Sequence, residues 1–180
     1  MAGILQGSSG NDEIQTPRWL FDRLDRAFRF NLDAFASPDN RLVSRIGGRF
    51  STPEGTFQLL DEHSHPDPVA PGEIRPARIS TADGFEYPWD GASVFANPPY
   101  SMLMRAVAKF EAEVESAAWI AMLVKWDTST KWAQRLEECA IVQPLRRRVP
   151  YVHPNPPKGW SGASFPSAIA FPRRDWVAAR

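Results

Sequence analysis

The spacing of apolar and polar positions changes period several times along the 180 residues. After Thr16-Pro17, the residues Leu20, Leu24, Ala27 and Phe28 recur at helical intervals, predicting a helix that runs to about residue 28. Threonine as N-cap and proline at the first helical position suit its start. Phe30 to Ala36 predicts a buried strand, and Val94 to Ala96 a second, shorter one. Met102 to Ala117 predicts a helix with Ala106, Phe110, Val114 and Ala117 on one face. Trp119 to Val124 reads as a central strand, Thr128 to Glu138 as a helix, and Ala140 to Val142 and Ser167 to Phe171 as further strands. Strands alternating with helices predict a single-domain α/β fold. Its sheet would be largely parallel, with helices on both faces and ligands at the carboxyl ends of the strands. Residues 51–78 are rich in Pro, Gly, His and acids and show little periodicity, so they are expected to form a loop insertion, functional or mobile. No internal repeat is present.

Composition narrows the class. Hydrophobic residues make up 43% and aromatics 12% of the chain, which argues for a packed core over disorder. The lone Cys139 excludes an intramolecular disulfide framework and fits a reducing cytoplasm; it reads as a buried small hydrophobe. No apolar run approaches the roughly 20 residues that span a bilayer. Residues 1–11 lack a basic region followed by an apolar core and are expected to be a flexible lead-in to a domain over 12–180. Charge is balanced overall but not along the chain. Residues 1–122 carry 11 Lys/Arg against 17 Asp/Glu, and residues 123–180 carry 10 against 4. The basic last third, with Arg146-Arg147-Arg148, Lys158, Arg173 and Arg174, can meet a phosphate backbone or be only a solvated face.

The candidate chemistry lies at Val94-Phe95-Ala96-Asn97-Pro98-Pro99-Tyr100-Ser101. Two prolines fix the backbone, remove two N–H donors and extend the residue before each of them. The resulting stiff turn at a strand end holds the Asn97 carboxamide and the Tyr100 ring in a set relation. The Asn97 side-chain oxygen and the Pro98 carbonyl can accept the two hydrogens of an exocyclic amino group, while Tyr100 lies against the ring. The lone pair of an amino group on such a planar ring is delocalised into the ring and poorly nucleophilic. Two acceptors on its hydrogens favour a tetrahedral nitrogen and stabilise the positive charge that develops in attack. A second proline pair, Asn155-Pro156-Pro157-Lys158, lacks both strand and aromatic and reads as a loop.

Asn-Pro-Pro-Tyr after an apolar strand resembles the catalytic motif of methyltransferases acting on amino or amide nitrogens. Further matching pieces are Asp12 to Phe21, Phe30 to Asn40, Tyr87-Pro88-Trp89, Leu123 to Trp132 and Pro166 to Phe171. In this order they resemble the phage-encoded DNA N6-adenine methyltransferases over residues 12 to 172. The resemblance implies a Rossmann-like methyltransferase sheet, S-adenosylmethionine as cofactor, a DNA partner with an adenine target, and a cytoplasmic location. It places Asn97, Pro98, Pro99 and Tyr100 at the target base and Thr16, Pro17, Asp33, Ala34 and Ala36 at the cofactor. A duplex target would be flipped out of the stack, without metal or covalent intermediate. Thr16-Pro17 can equally be a helix cap alone. Trp126 and Trp132 could line the base pocket, or Trp132 could be a core contact. The usual glycine-rich turn is replaced by Phe35-Ala36-Ser37-Pro38, and Asp39, Asp83 and Asp90 are the candidates for the acid that holds the ribose. With no cysteine among them, the acids and histidines at 61–67 read as a solvated loop, not a metal site. DNA contacts would come from the insertion or from residues 146–160. An RNA base, a protein glutamine amide, or DNA binding without catalysis remain alternatives. Recognition sequence and oligomeric state are not written in these patterns.

Overall fold

The computed structural model describes residues 14–36, 40–154, 156, 162 and 165–173. The expected lead-in at residues 1–11 lies outside the described residues. So do Asp39, Asn155, Pro157, Lys158 and Arg174. The strands are β1 (Leu32–Asp33), β2 (Arg49–Thr52), β3 (Gly55–Leu60), β4 (Arg75–Ser80), β5 (Ser93–Ala96), β6 (Trp119–Lys125), β7 (Ala140–Pro144) and β8 (Ser167–Pro172). They form one sheet in the order β4-β3-β2-β1-β5-β6-β8-β7. The helices are α1 (Arg18–Phe28), α2 (Leu103–Glu113) and α3 (Lys131–Cys139).

The centre of the sheet is parallel: β1 pairs with β2 on one side and β5 on the other, and β5 pairs with β6. Both outer pairs on each side are antiparallel. β5 and β6 are covered on both faces, which is why they read as unbroken apolar runs. Their side chains divide by the pleat. Val94, Ala96, Ile120, Met122 and Val124 face α2 and α3 in one core. Phe95, Ala121 and Leu123 face Leu20 and Phe21 of α1 in the other. The Phe21 ring meets Phe95 edge-on, with 5.2 Å between centroids. Fully burying one such side chain contributes about 1.5–3 kcal/mol. Cys139 closes α3 inside the first core, and its burial pushes the thiol pKa up to about 11, which suits a packing residue.

Three expectations need correction. The sheet is not largely parallel: three of its seven pairings are parallel and four antiparallel, because the hairpin of β3 and β4 and the late β8 add strands at both sides. The helix does not use Thr16 as its cap: Pro17 occupies the N-cap position at φ −60° and ψ 135°, and α1 begins at Arg18. The span 51–78 is not a loop insertion throughout, because β2 ends in it, β3 lies wholly within it and β4 starts in it. Pro53-Glu54 makes a two-residue turn from β2 to β3, and Gly55 takes φ +136°, where an added Cβ would meet the Ser80 carbonyl oxygen at 2.4 Å. The strand pattern is hidden because β4, at the sheet edge, buries none of its residues and leaves Ile79 44% exposed. Only 61–74 is irregular. There Asp61 accepts from the backbone N–H of His63 and Ser64, and His65 Nδ1 accepts from Asp67 N–H at 3.0 Å, as turn caps do. No group of three His, Cys, Asp or Glu side chains that could hold a metal occurs among the described residues. No helix among them is long and apolar enough to cross a membrane.

The chain leaves β1 toward β2 and returns on the opposite side of β1 as β5. Strand order therefore reverses between β1 and β5, the position at which open parallel sheets form a ligand crevice beyond their carboxyl ends.

Candidate active site

The carboxyl ends of β1 and β5 are in register, Asp33 opposite Phe95, and Ala34 N–H donates to the Phe95 carbonyl at 2.9 Å. β5 is buried over its whole length and delivers Asn97 directly past its end. The prolines stop the strand, and a short 3-10 turn, Tyr100–Met102, follows, with Met102 N–H donating to the Pro99 carbonyl at 2.9 Å. Asn97 Oδ1 is screened from solvent and has no hydrogen-bond partner among the described residues. A buried acceptor without a donor is costly, about 1–3 kcal/mol, and in a folded protein it asks for an explanation. The Tyr100 ring stands edge-to-face with Phe165 at 5.0 Å and with Tyr151 at 6.2 Å. Tyr151 is itself anchored on Ser167 Oγ at 3.0 Å; burial raises its phenol pKa, and the hydroxyls of Ser167 and Tyr100 oppose that rise.

The proline turn separates two clefts. The first, of about 240 Å³, lies on the β1 side and is lined by Ala34, Phe35, Ala36, Phe85, Pro99 and Met102, with Ser51, Thr52 and Arg105 at its margins. Phe35 and Phe85 meet at 4.6 Å, and the Arg105 guanidinium lies 4.1 Å from the Phe85 centroid. Gly84 presses its backbone on the same wall. A Cβ there would lie 1.7 Å from the Ala34 carbonyl oxygen, so only glycine allows this approach. The second cleft, of about 210 Å³, lies on the β6 side and is lined by Tyr100, Ser101, Lys125, Asp127, Thr130 and Trp132. Asp127 is committed to the entry of α3: it accepts from Ser129 Oγ at 2.6 Å and Ser129 N–H at 3.0 Å, which lowers its pKa.

The expected site residues are distributed unevenly around this pair. Ala34, Ala36 and Pro99 line the first cleft and Tyr100 the second. Asp33 lies beneath the first cleft rather than on its wall. It is 3% exposed and accepts Leu42 N–H at 2.9 Å, and desolvation raises its pKa to about 7 against two backbone hydrogen bonds. Thr16 and Pro17 sit beside the Tyr151 segment, because Gln15 exchanges backbone hydrogen bonds with Val152 at 2.7 and 3.0 Å. Thr16 Oγ1, like Asn97 Oδ1, is buried without a hydrogen-bond partner among the described residues. Of the candidate ribose acids, Asp83 lines the first cleft, but its carboxylate accepts Phe85 and Glu86 N–H; Asp90 is exposed elsewhere. Trp132 both lines the second cleft and packs on the core, and Trp126 stands edge-on to it at 6.2 Å. Sequence reasoning missed Ser51, Thr52, Phe85, Lys125 and the Tyr151–Phe165 pair. Gly84 alone carried a local signal, an Asp-Gly pair at the start of the turn over 84–86.

A family model described as DNA N-6-adenine-methyltransferase (Dam) matches residues 79–180, more than half of the chain. The match includes β5, the proline turn, the second cleft and Tyr151; Thr16 and the Asp33 segment precede it. No curated protein and no solved structure matches the chain.

Proposed function

The chain belongs to the DNA N-6-adenine-methyltransferase (Dam) family, and we propose that it transfers a methyl group from S-adenosylmethionine to adenine N6 on a base flipped out of duplex DNA. In this reading the cofactor lies in the cleft on the β1 side and the adenine in the cleft on the β6 side, with Asn97 to Tyr100 between them. The observation that carries it is the unpartnered, buried Asn97 Oδ1 at the end of β5, where the chemistry calls for an acceptor. The residues fit the cofactor: the first cleft is walled by rings and alkyl groups, Gly84 lets its backbone close against Ala34 to shape that wall, and the Thr16 hydroxyl has no partner among the described residues. When bound, S-adenosylmethionine supplies a methyl group already activated by its sulfonium.

The protein's work is then alignment and charge stabilisation. Asn97 Oδ1 and the Pro98 carbonyl accept the two amino hydrogens of the adenine, drawing its lone pair out of the ring. As the new N–C bond forms and the methyl–sulfur bond breaks to leave a neutral thioether, N6 would become cationic, and the same two acceptors would stabilise it before one proton is lost to solvent. Tyr100, braced by Phe165 and Tyr151, stacks on the base and offsets part of the few kcal/mol of unstacking. Asp33 acts through the backbone, holding the Ala34–Ala36 wall by its bond to Leu42. The strand order, reversed between β1 and β5 with helices on both faces, supports a Rossmann-like methyltransferase sheet.

The test is to incubate the protein with tritiated S-adenosylmethionine and unmethylated bacterial DNA, with RNA and cell protein in parallel, and identify the labelled product after digestion. Label in N6-methyladenine from DNA is the expected result. Label only in RNA or protein would overturn the substrate while keeping the turn chemistry. Label nowhere, from folded protein, would overturn the reaction.

A further inference from the structure

A third cleft, of about 680 Å³, runs between α1 and the loop that follows β7, and its margin carries Trp19, Arg23, Arg146, Arg147 and Arg148. All five side chains are exposed, Trp19 by 54%. None of the four arginines forms an ion pair among the described residues, whereas the neighbouring acids of α1 are committed: Asp22 to Arg18 and Asp25 to Arg45. The result is a stripe of four uncompensated positive charges around an indole. Its place in the fold matters more than its charge. β6 and β7 are both antiparallel to β8 and so run in the same direction. The loop after β7 therefore leaves the sheet at the edge where Asn97 stands. Leu145 N–H donates to the Ser167 carbonyl at 2.9 Å, fixing the start of that loop beside the end of β6. Three residues beyond Arg148, Tyr151 packs on Tyr100.

We infer that this groove holds the sugar–phosphate backbone of the DNA next to the target adenine, with Arg23 and Arg146 to Arg148 on phosphates and Trp19 against sugar or base faces. The inference rests on the methylation reading for its ligand. Phosphate contacts fix register without reading sequence, which suits a chain whose grooves lie on the catalytic sheet itself. Exposed guanidinium groups release counterions on binding, so each phosphate contact steepens the salt dependence of affinity by about 0.9 in a log–log plot.

The experiment measures anisotropy of a labelled, unmethylated duplex against salt for the wild-type protein and for the triple variant Arg146→Gln, Arg147→Gln, Arg148→Gln, alongside methyl transfer and thermal melting. The variant is expected to lose about 2–3 from the slope and on the order of a hundredfold in affinity near about 0.15 M salt. Its melting temperature and its KM for the cofactor stay at the wild-type values. Lysine at the same three positions restores the slope. A triple variant with the wild-type slope and affinity would overturn the inference. Should that variant fail to fold, Arg23→Gln and Trp19→Ala decide it singly, by a slope reduced by about 1 and by weakened binding, or by no change in either. Failure of the underlying reading looks different. Duplex binding that depends on these arginines, with no label in adenine from either protein, would sink methylation and keep the groove.

Discussion

On the β1 side of the proline turn, Ala34, Phe35, Ala36, Phe85 and Met102 wall a cleft with carbon and rings; on the β6 side, Ser101, Lys125, Asp127 and Thr130 wall a polar one. The first wall comes from a backbone brought very close by Gly84, the second from side chains that cap the start of α3. No residue lines both clefts: Pro99, Met102 and Arg105 face the first and Tyr100, Ser101 and Leu103 the second, so the proline turn and the start of α2 run between them. A two-substrate enzyme arranged this way can separate its functions by place. Damage to one wall should affect one substrate, and damage to the turn should affect the reaction itself.

Asn97→Ala tests the turn between the clefts and should have the largest effect. Methyl transfer is expected to fall by about 10²–10³-fold, with cofactor and duplex binding retained by calorimetry and anisotropy. A loss of either binding instead would make Asn97 a wall residue. Gly84→Ala strikes the β1 side alone. The added methyl must displace Ala34, costing roughly 1–3 kcal/mol of stability. Steady-state kinetics should show a raised KM for the cofactor and an unchanged KM for DNA; equal changes in both would break the division between clefts. Thr16→Val asks on which side the N-terminal segment acts. Removing a buried hydroxyl that has no partner among the described residues should leave the melting temperature level or higher, while the cofactor dissociation constant rises about fivefold. A lower melting temperature with unchanged affinity would make Thr16 structural.

The mildest effect is spread over pH. Asp33 titrates at about 7 in the fold against an ordinary value of 3.8, because burial disfavours its charge. Its contribution to stability is therefore fully present below pH about 4, where both states hold the proton, and is lost as pH rises through about 7. Urea unfolding across that window should show stability falling with pH, and Asp33→Asn should flatten the slope. A wild-type profile that rises with pH would contradict it.

Much of this arrangement is legible in the sequence where the cause is local. β5 and β6 are buried on both faces, so their apolar runs are continuous, and two adjacent prolines announce the turn that follows. The cap of α1 is misread by one position because threonine before proline satisfies the same propensity as the observed Pro17 cap. The hairpin of β3 and β4 is hidden because β4 has little to bury, and without a buried face no period of two is written. With it went Ser51 and Thr52 at the margin of the first cleft. Tyr151 and Phe165, which brace Tyr100, come from more than 50 residues away, and no spacing rule joins them to the turn.

The position of β8 has a consequence for how the molecule comes into being. This strand, later in the chain than all the others described, inserts between β6 and β7. Until residues 167–172 leave the ribosome, β7 has no neighbour to pair with and β6 presents an open edge to whatever else is in the cell. The same late segment brings Phe165 to Tyr100. Translation itself therefore orders assembly: the proline turn at 97–100 is made before Phe165 and β8, and Tyr100 lacks that brace until they emerge.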